Sequence, residues 1–409
     1  MKTESRFFEE WCGKSGRLSV DELVLRARSF QKQLSELSGI TEANRRVAAE
    51  TMSNLASAGL LNFMRAERHG GFAHGPSMLI RVGYELGQGC GSTAWCTNIA
   101  NCNSWLASYW SEQAQQDIWD DPNNRISGLL APTGKCEIAE GGYNVWGSWP
   151  FGSNCDNSEW TFVSAPLPSV GDEPSSTGWF LLPIDALNID HNTWFVSGMQ
   201  GTGSKTLYTD EPIFVPAHRV IRYDDIIQRK VPGCSIEGNT PANFAFSTFG
   251  ACALVGPILG MSKGALDWFV SSMREKIRIN MKPGTKSSAT QNPFLQERVG
   301  RAAVMIDSAL TYVLAEVESA ERKIMVGEEL SISDRVRVRN ALIHSAREAV
   351  DAVDLFMELA GASGGDSQLP LQRFWRDINS GARHVSLDAR GVYAMAGQAI
   401  LGLNPIGVY

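Results

Sequence analysis

The sequence predicts an α+β fold in which helices come first, a small antiparallel β-barrel or sandwich follows, and a helical bundle ends the chain. Two observations lead to this prediction. In the first and last parts of the 409 residues, apolar residues recur at three- and four-residue steps, as in amphipathic helices. The middle part instead contains short β-rich runs between turn residues. Segregated helices and strands indicate α+β packing and not a doubly wound sheet.

The first region, residues 1–125, is predicted to be helical. Ser19 and Thr41 are each followed by acidic residues, as N-caps are, because a side-chain oxygen there accepts a hydrogen bond from a free backbone N–H. Gly59 and Gly70 are predicted to end helices, since glycine readily takes the left-handed conformation of a helix C-terminus.

The second region, residues 126–235, is predicted to hold the β module. Turn clusters such as 172–176 separate the β-rich runs. The predicted strands are Ile126 to Ala131, Tyr143 to Trp149, Trp160 to Ala165, Trp179 to Pro183 and Ile213 to Val215. Their spacing is typical of a small antiparallel barrel or sandwich.

The third region, residues 236–409, is predicted to be a helical bundle with apolar stripes on its helices. The stripes run through Ile306, Ala309, Leu310, Val313 and Val317, and through Val350, Val353 and Phe356. The polar stretch 280–293 is predicted to be an exposed loop between two helices. The charged stretch from Arg322 to Arg339 is predicted to be a solvated helix face.

Composition and charge limit the classes of function. The chain is 43% hydrophobic and 20% charged with a net charge of −7, which argues against nucleic-acid binding. The segment after Met1 lacks the apolar core of a signal peptide, and no apolar run approaches the ~20 residues of a membrane span. We therefore expect a cytoplasmic protein. The eight cysteines form no CxxC pair, so no metal site is predicted.

Several stretches along the chain share their order and spacing with one protein family. They are His69-Gly70-Gly71-Phe72, Ser127 to Pro132, Trp194 to Ser204, Gly361 to Gly365, and Leu371 to Asp377. In this order they resemble the acyl-CoA dehydrogenase superfamily. The resemblance implies an N-terminal helical domain, a central antiparallel β-barrel or sandwich and a C-terminal four-helix bundle, assembled through the bundle as a homotetramer.

One position separates the reactions of this superfamily. Its dehydrogenases commonly carry a Glu about eight residues after the Arg-Asp pair, where the carboxylate removes the α-proton of the thioester. That position is Val385 here, which cannot abstract a proton, and His384 precedes it. Together with the stretch Gly147 to Asp156, His384 resembles the group D two-component flavin monooxygenases. This group includes p-hydroxyphenylacetate hydroxylase, steroid-phenol hydroxylase, dibenzothiophene monooxygenase and indole oxygenases.

The resemblance implies the oxygenase component of a reduced-flavin-dependent monooxygenase. Such an enzyme inserts one oxygen atom of O2 into a small aromatic or heteroaromatic substrate, phenol- or indole-like, through a flavin C4a-hydroperoxide. The alternatives are an acyl-CoA dehydrogenase or oxidase, and a non-catalytic paralogue used for binding. The expected cofactor is reduced FMN, with FAD possible. The Gly-rich stretch Gly87 to Ser92 follows a helical segment and not a strand, so it predicts no nicotinamide-binding unit, and a separate flavin reductase is expected.

By the same resemblance, the catalytic residues are expected to be His384, Ser153 and Asn103. Ser153 would bond flavin N5, and His384 would face flavin and substrate and handle a proton. Asn103 stands where the phenol hydroxylases carry His, which leaves an indole-like or other heteroaromatic substrate open. Asn154 stands where the group usually has Gly, at the approach of the backbone to the flavin.

The resemblance also assigns binding residues. The expected cofactor contacts are Trp95, Gly128, Leu130, Phe151, Ser153, Arg278, Gly364 and Gly365. The expected substrate contacts are Asn103, Phe246, Phe249 and His384. Arg278 would reach a flavin phosphate, and the two glycines would approach the flavin of a neighbouring subunit.

Each of these residues also has an ordinary structural interpretation. His384 fits a helix histidine with satisfied hydrogen bonds, Ser153 a strand-end serine, and Asn103 a polar helix residue. Trp95 and the phenylalanines fit the core, and Arg278 fits a solvated face.

Overall fold

The computed structural model describes residues 16–168, 176–279 and 286–409. The N-terminal part is helical, as predicted. Its helices are α1 (Val20–Ser29), α2 (Gln31–Ala43), α3 (Ala49–Ser57), α4 (Ser77–Gly87), α5 (Gly91–Ala107) and α6 (Glu112–Trp119). Helix α5 is buried over nearly its whole surface, so it borders other elements on every side.

The helix ends confirm three of the four predicted signals. Ser19 caps α1 through a complete capping box. Gly59 and Gly70 have φ angles of 76° and 77° and follow helical turns, as predicted. The prediction for Thr41 is wrong, because this residue lies on the buried face of α2, and α3 begins after Ala48, which has no capping oxygen.

The central part forms two four-stranded sheets. The strands are β1 (Ile126–Leu129), β2 (Lys135–Ala139), β3 (Gly142–Gly152), β4 (Trp160–Pro166), β5 (Thr177–Pro183), β6 (Asn188–Asp190), β7 (Lys205–Pro216) and β8 (Val220–Arg222). One sheet has the order β1-β4-β5-β8 and the other β2-β3-β7-β6. The predicted sandwich is therefore present, and the predicted runs correspond to β1, β3, β4, β5 and β7.

One strand pair departs from the antiparallel prediction. Strand β1 pairs in parallel with β4, with Ile126 opposite Trp160, while the other pairs of the two sheets are antiparallel. The hairpin β2–β3 belongs to the opposite sheet and carries the chain back to the start of β1, so β4 runs beside β1 in the same direction.

The two sheets pack around large aromatic side chains. Trp149 of β3 is fully buried, and its Nε1–H donates to the Ser164 carbonyl of β4 at 2.8 Å. Phe180 of β5 is equally buried in the same cluster. These contacts join the two sheets, which fixes the end of β3 relative to β1.

The C-terminal part is helical. Its elements are α7 (Tyr223–Gln228), α8 (Phe246–Phe249), α9 (Cys252–Glu275), the ribbon β9 (Ile277–Ile279) and β10 (Lys286–Ser288), α10 (Pro293–Met325), α11 (Ile332–Ala360), α12 (Pro370–Gly381) and α13 (Ala389–Ile400). Helices α9, α10, α11 and α12 pack together as the predicted four-helix bundle. The predicted stripes face the core, with Ile306, Val313 and Phe356 fully buried.

Two predictions for this part need correction. Residues 280–285 of the predicted loop lie outside the described part of the chain, but β10 and the fully buried Ala289 show that the rest is not an exposed loop. The charged stretch is exposed at Arg322, yet Arg339 is buried, so the stretch is not solvated throughout.

Among the described residues, the helical stretch Phe246–Glu275 is long and apolar enough to cross a membrane, but 94% of its apolar window is buried inside the protein. Buried core helices can have the same length and apolar composition as a membrane span.

Candidate active site

A chain of three hydroxyl groups lies between the end of β3 and the start of β7. Ser153 Oγ is 2.7 Å from Ser204 Oγ, which is 2.7 Å from Thr202 Oγ1. Thr202 donates its only hydroxyl hydrogen to the Met199 carbonyl at 2.8 Å. Thr202 must therefore accept from Ser204, and Ser204 must accept from Ser153. This order leaves the Ser153 oxygen as a hydrogen-bond acceptor for any group bound beside it.

The residue after Ser153 holds the turn that begins this chain. Asn154 has φ of 63°, and its N–H donates to the Thr202 carbonyl at 3.0 Å. Asparagine tolerates this left-handed conformation better than other non-glycine residues, so it can replace glycine here without a different backbone path. Its Nδ2 is buried and has no partner among the described residues.

Helix α12 anchors the loop that carries Thr202 and Ser204. The Asp377 carboxylate accepts from the Met199 N–H at 2.5 Å, and Arg376 donates to the Ser197 carbonyl at 2.5 Å. Arg376 and Asp377, the Arg-Asp pair of the sequence motif, thus position this loop. Burial raises the pKa of the Asp377 carboxyl from its usual 3.8 to about 6.

Because burial disfavours the charged form of Asp377, the protein is expected to lose stability as this group ionises. The stabilising contribution is fully present below the ordinary pKa and is lost as the pH rises through about 6. We expect the free energy of unfolding of the wild type to fall relative to Asp377→Asn over this interval, by about 3 kcal/mol at most. Chemical denaturation at a series of pH values measures this difference.

The exposed Asp366 on the preceding loop provides a matched control. Asp366→Asn is expected to follow the wild-type pH profile. Parallel profiles for Asp377→Asn and the wild type would show that the carboxyl does not titrate in this range.

His384 and Trp95 lie against each other on the helical side of the site. Their ring centroids are 6.2 Å apart, with the ring planes at 60°. Trp95 is only 6% exposed, whereas His384 is an exposed residue whose ring packs against Trp95 on one side. Trp95 is next to Cys96, whose Sγ lies 3.5 Å from the Thr202 carbonyl. Helix α5 therefore links the histidine side of the site to the hydroxyl chain.

The imidazole of His384 is neutral and has a defined tautomer. Its Nδ1 accepts a hydrogen bond from the Ser386 N–H at 3.2 Å, so the ring hydrogen is on Nε2. Burial lowers the pKa of His384, which further favours the neutral form. His384 can therefore donate one hydrogen bond through Nε2–H.

Asn103 connects α5 to the first strand. Its Nδ2 donates to the Ile126 carbonyl at 3.0 Å, and its Oδ1 accepts no hydrogen bond within the described chain. A Cβ atom at Gly128 would come within 3.0 Å of that Oδ1 and within 2.3 Å of the Phe162 ring, so only glycine fits there. One of the two amide hydrogens is thus used within the protein, and the carbonyl oxygen and the second amide hydrogen are left for a ligand.

Two aromatic residues border the end of β3. Phe151 and Trp194 meet edge to face with centroids 6.1 Å apart. Both have left-handed backbone conformations, with φ of 69° and 67°. Phe151 is 66% exposed, so its ring is free to contact a bound group.

The other predicted contacts are distributed as follows. Leu130, at the end of β1, is partly exposed. Phe246 packs against Trp105 and Trp179, and Phe249 is fully buried against Phe244. Gly364, which is buried, and Gly365, which is exposed, lie in a short turn (Gly361–Gly365), where no described contact joins them to the hydroxyl chain. Arg278 lies in β9, and its side chain is outside the described part of the structure.

No described carboxylate is placed to act as a base beside His384 and Trp95. Val385, at the position of the dehydrogenase base, is 84% exposed. Three buried carboxylates of the described chain have partners within the protein: Glu85 is held by Arg28, Asp156 by Lys205 and Asp377 by the Met199 N–H. The site therefore has a hydroxyl acceptor and a neutral imidazole donor in place of an anionic base.

These residues fit a flavin. An isoalloxazine ring is flat and aromatic with polar edges, which suits the aromatic rings of Trp95, Phe151 and Trp194 and the acceptor oxygen of Ser153. The buried Nδ2 of Asn154, without a partner in the described chain, is a further donor beside them.

The comparisons with known proteins agree with this site. Residues 252–389 match the family model described as the acyl-CoA dehydrogenase C-terminal domain. The chain is 32% identical to the flavin-dependent monooxygenase oxygenase subunit HsaA of Rhodococcus jostii (strain RHA1), over 90% of this chain and 96% of that protein. It is also 32% identical to the FADH2-dependent resorcinol hydroxylase oxygenase component of Rhizobium sp. (strain MTP-10005), over 90% of this chain and 91% of that protein.

A solved structure shares the whole fold. The crystal structure of 3-HSA hydroxylase from Rhodococcus sp. RHA1 superposes with a TM-score of 0.87 at 30% identity, covering 94% of this chain and 98% of that one. The chain belongs to the oxygenase components of the two-component flavin-dependent monooxygenases, within the acyl-CoA dehydrogenase superfamily. It is an enzyme that uses reduced flavin, and the acyl-CoA dehydrogenase alternative is not favoured. The oxygenase-component names imply a separate reductase.

Sequence reasoning missed the partners of Ser153. Ser204 and Thr202 end the quoted stretch Trp194 to Ser204, but they received no role. The sequence does contain a feature that points to them, because two hydroxyl residues lie on either side of Gly203 directly before a strand. The buried ion pair of Lys205 and Asp156 beside them was also missed, because nothing in the sequence pairs these residues.

Proposed function

We propose that this oxygenase hydroxylates a small phenol- or indole-like ring, which binds between His384 and the flavin held at Ser153. The neutral His384 imidazole against Trp95, with no carboxylate from the described residues beside it, is the observation that carries this proposal. The resorcinol hydroxylase among the relatives supports a phenol-like substrate.

A reduced flavin held at this site would supply, together with O2, the oxygen atom that enters the ring. Ser153 is assigned to the N5 edge of the flavin. The hydroxyl chain leaves the Ser153 oxygen as a hydrogen-bond acceptor. A reduced flavin carries a hydrogen at N5, and this N–H could donate a hydrogen bond to Ser153. This hydrogen bond would favour the reduced form of the flavin.

His384 and Asn103 are assigned to the substrate. The Nε2–H of His384 donates to an oxygen atom beside the ring, and the Oδ1 of Asn103 accepts from a ring hydroxyl or N–H. Trp95 and Phe246 supply apolar surface.

Ser153→Ala is expected to reduce product formed per flavin consumed by about fivefold, because loss of one hydrogen bond at the flavin is worth about 1 kcal/mol. Hydrogen peroxide should account for the difference. Both products can be quantified after mixing the protein with reduced FMN, O2 and a panel of phenols and indoles.

Ser148→Ala on the exposed side of β3 is the matched control, and it should leave the product yield unchanged. Unchanged yield in Ser153→Ala would remove Ser153 from the flavin edge. Absence of product with every ring in the panel, together with flavin bleaching by an acyl-CoA, would overturn the proposed function. A chain that binds no flavin would support the non-catalytic interpretation.

The assembly is proposed to be a cytoplasmic homotetramer that packs through the C-terminal bundle and obtains reduced flavin from a separate reductase. Exposed apolar residues of the C-terminal segment support packing there, with Ile400 and Ile406 the most exposed. Gly364 and Gly365 would then approach the flavin of a neighbouring subunit, and Arg278 a flavin phosphate. No membrane or nucleic-acid partner is proposed.

A further inference from the structure

Arg339 is a buried arginine in the middle of α11. Only 9% of the residue is exposed, although its neighbour Arg337 is exposed and pairs with Glu316. Helix α11 packs against α8 and against the short turn that follows His384. The guanidinium therefore lies inside the protein on the side of the proposed substrate site.

A short hydrogen-bonded path connects Arg339 to His384. Nη2 of Arg339 donates to the Ser386 carbonyl at 2.9 Å, and the Ser386 N–H donates to Nδ1 of His384 at 3.2 Å. The guanidinium is thus two hydrogen bonds away from the imidazole assigned to the substrate.

The positive charge of Arg339 is not compensated by the described residues. None of their carboxylates forms an ion pair with it, and its buried Nε has no hydrogen-bond partner. Cys252 lies close enough to interact with its charge, but burial raises the pKa of that thiol well above its usual range, so the thiol is neutral. An isolated buried cation is strongly unfavourable unless an anion binds it.

A second unpartnered polar group lies on the helix that faces α11. Thr248 of α8 is fully buried, and its hydroxyl has no partner within the described chain. Two helices that pack together thus each present a free donor, although buried donors are nearly always satisfied.

We propose that Arg339 binds a carboxylate on the aromatic substrate, so that the oxygenase acts on an aromatic acid. This inference rests on the proposed function, because it places the carboxylate on the ring compound that His384 contacts. A carboxylate matches the guanidinium in shape and charge and accepts two hydrogen bonds from it. A neutral hydroxyl or carbonyl accepts hydrogen bonds but leaves the buried charge uncompensated.

Two pairs of probes isolate the charge of the ligand. They are 4-hydroxyphenylacetate with 4-hydroxyphenylacetamide, and indole-3-acetate with indole-3-acetamide. Binding to the full-length protein in saturating FMN is measured by calorimetry, without turnover. In at least one pair the wild type should bind the acid at least tenfold more tightly than the amide. Arg339→Met should abolish this preference, and Arg337→Met should retain it.

Arg339→Gln tests whether the residue only supports the turn after His384. Glutamine keeps a donor for the Ser386 carbonyl but carries no charge, so acid binding should weaken far more than amide binding. Equal weakening of both ligands, or no acid preference in the wild type for either pair, would overturn the proposal. Because these measurements involve no reaction, a failed hydroxylation assay would count against the proposed function and leave the carboxylate preference standing.

Discussion

His384→Ala is expected to lower the rate of product formation by roughly 100-fold, the lower range for loss of a positioned proton-handling group. The affinity for flavin should change little, because His384 is assigned to the substrate and Ser153 to the flavin. Oxygen consumption should continue and yield hydrogen peroxide. Single-turnover assays that quantify hydroxylated product and peroxide together, with flavin binding measured separately, distinguish these effects.

His384→Gln and His344→Ala serve as controls for this variant. Glutamine offers an amide donor in place of Nε2–H and should restore part of the lost rate. His344 faces Tyr312 in the bundle and should be replaceable without effect. If His384→Ala retained wild-type turnover, the imidazole would have no part in the reaction.

The pH dependence of product formation follows from the same geometry. Since burial lowers the pKa of His384, the neutral tautomer persists to a lower pH than in an ordinary histidine. Protonation would break the bond from the Ser386 N–H to Nδ1. Product formation is therefore expected to hold as the pH falls through about 6.5, the usual value, and to decline only below it.

Lys205→Met is expected to destabilise the protein by about 3–5 kcal/mol, because it leaves a buried carboxylate without its partner. Lys205 Nζ lies 2.6 Å from Asp156 Oδ2, and both side chains are almost inaccessible to solvent. The pair lies between β3 and β7, next to the hydroxyl chain. Denaturant unfolding monitored by circular dichroism measures the loss.

The double variant Asp156→Leu/Lys205→Met should recover most of the stability, since it removes both charges together. Lys263→Met breaks the more exposed pair of Lys263 and Asp267 on α9 and should cost less than about 1 kcal/mol. A loss for Lys205→Met no greater than that for Lys263→Met would mean that the buried pair contributes little.

The regular elements were predictable where burial leaves a periodic pattern. The strands β3, β4, β5 and β7 were found because they carry β-branched and aromatic residues into the core. Strands β2, β6 and β8 were missed, and each lies at a sheet edge. Among the residues of these three strands only one, in β8, is buried, so their sequences carry little of the apolar pattern that reveals a strand; the edge strand β1, which is largely buried, is predicted correctly.

The site was predictable only in part. Ser153 and His384 were selected by flanking residues, but the order of the hydroxyl chain depends on Thr202 and Met199, whose contacts require the fold. The sequence predicts a solvated Arg339, because charged side chains are usually exposed. Arg339 lies three residues after Val336 and four residues before Ile343, and both of these apolar residues are buried. On a helix this spacing places Arg339 on the same inward face.

The left-handed backbones of Phe151 and Trp194 have a consequence for engineering this enzyme. Each such non-glycine residue costs about 1–3 kcal/mol, so glycine at either position would relax the chain. A laboratory search that ranked variants by melting temperature alone would therefore collect glycines at these two places. The selected variants would be more stable but would lack the aromatic side chains that border the candidate active site.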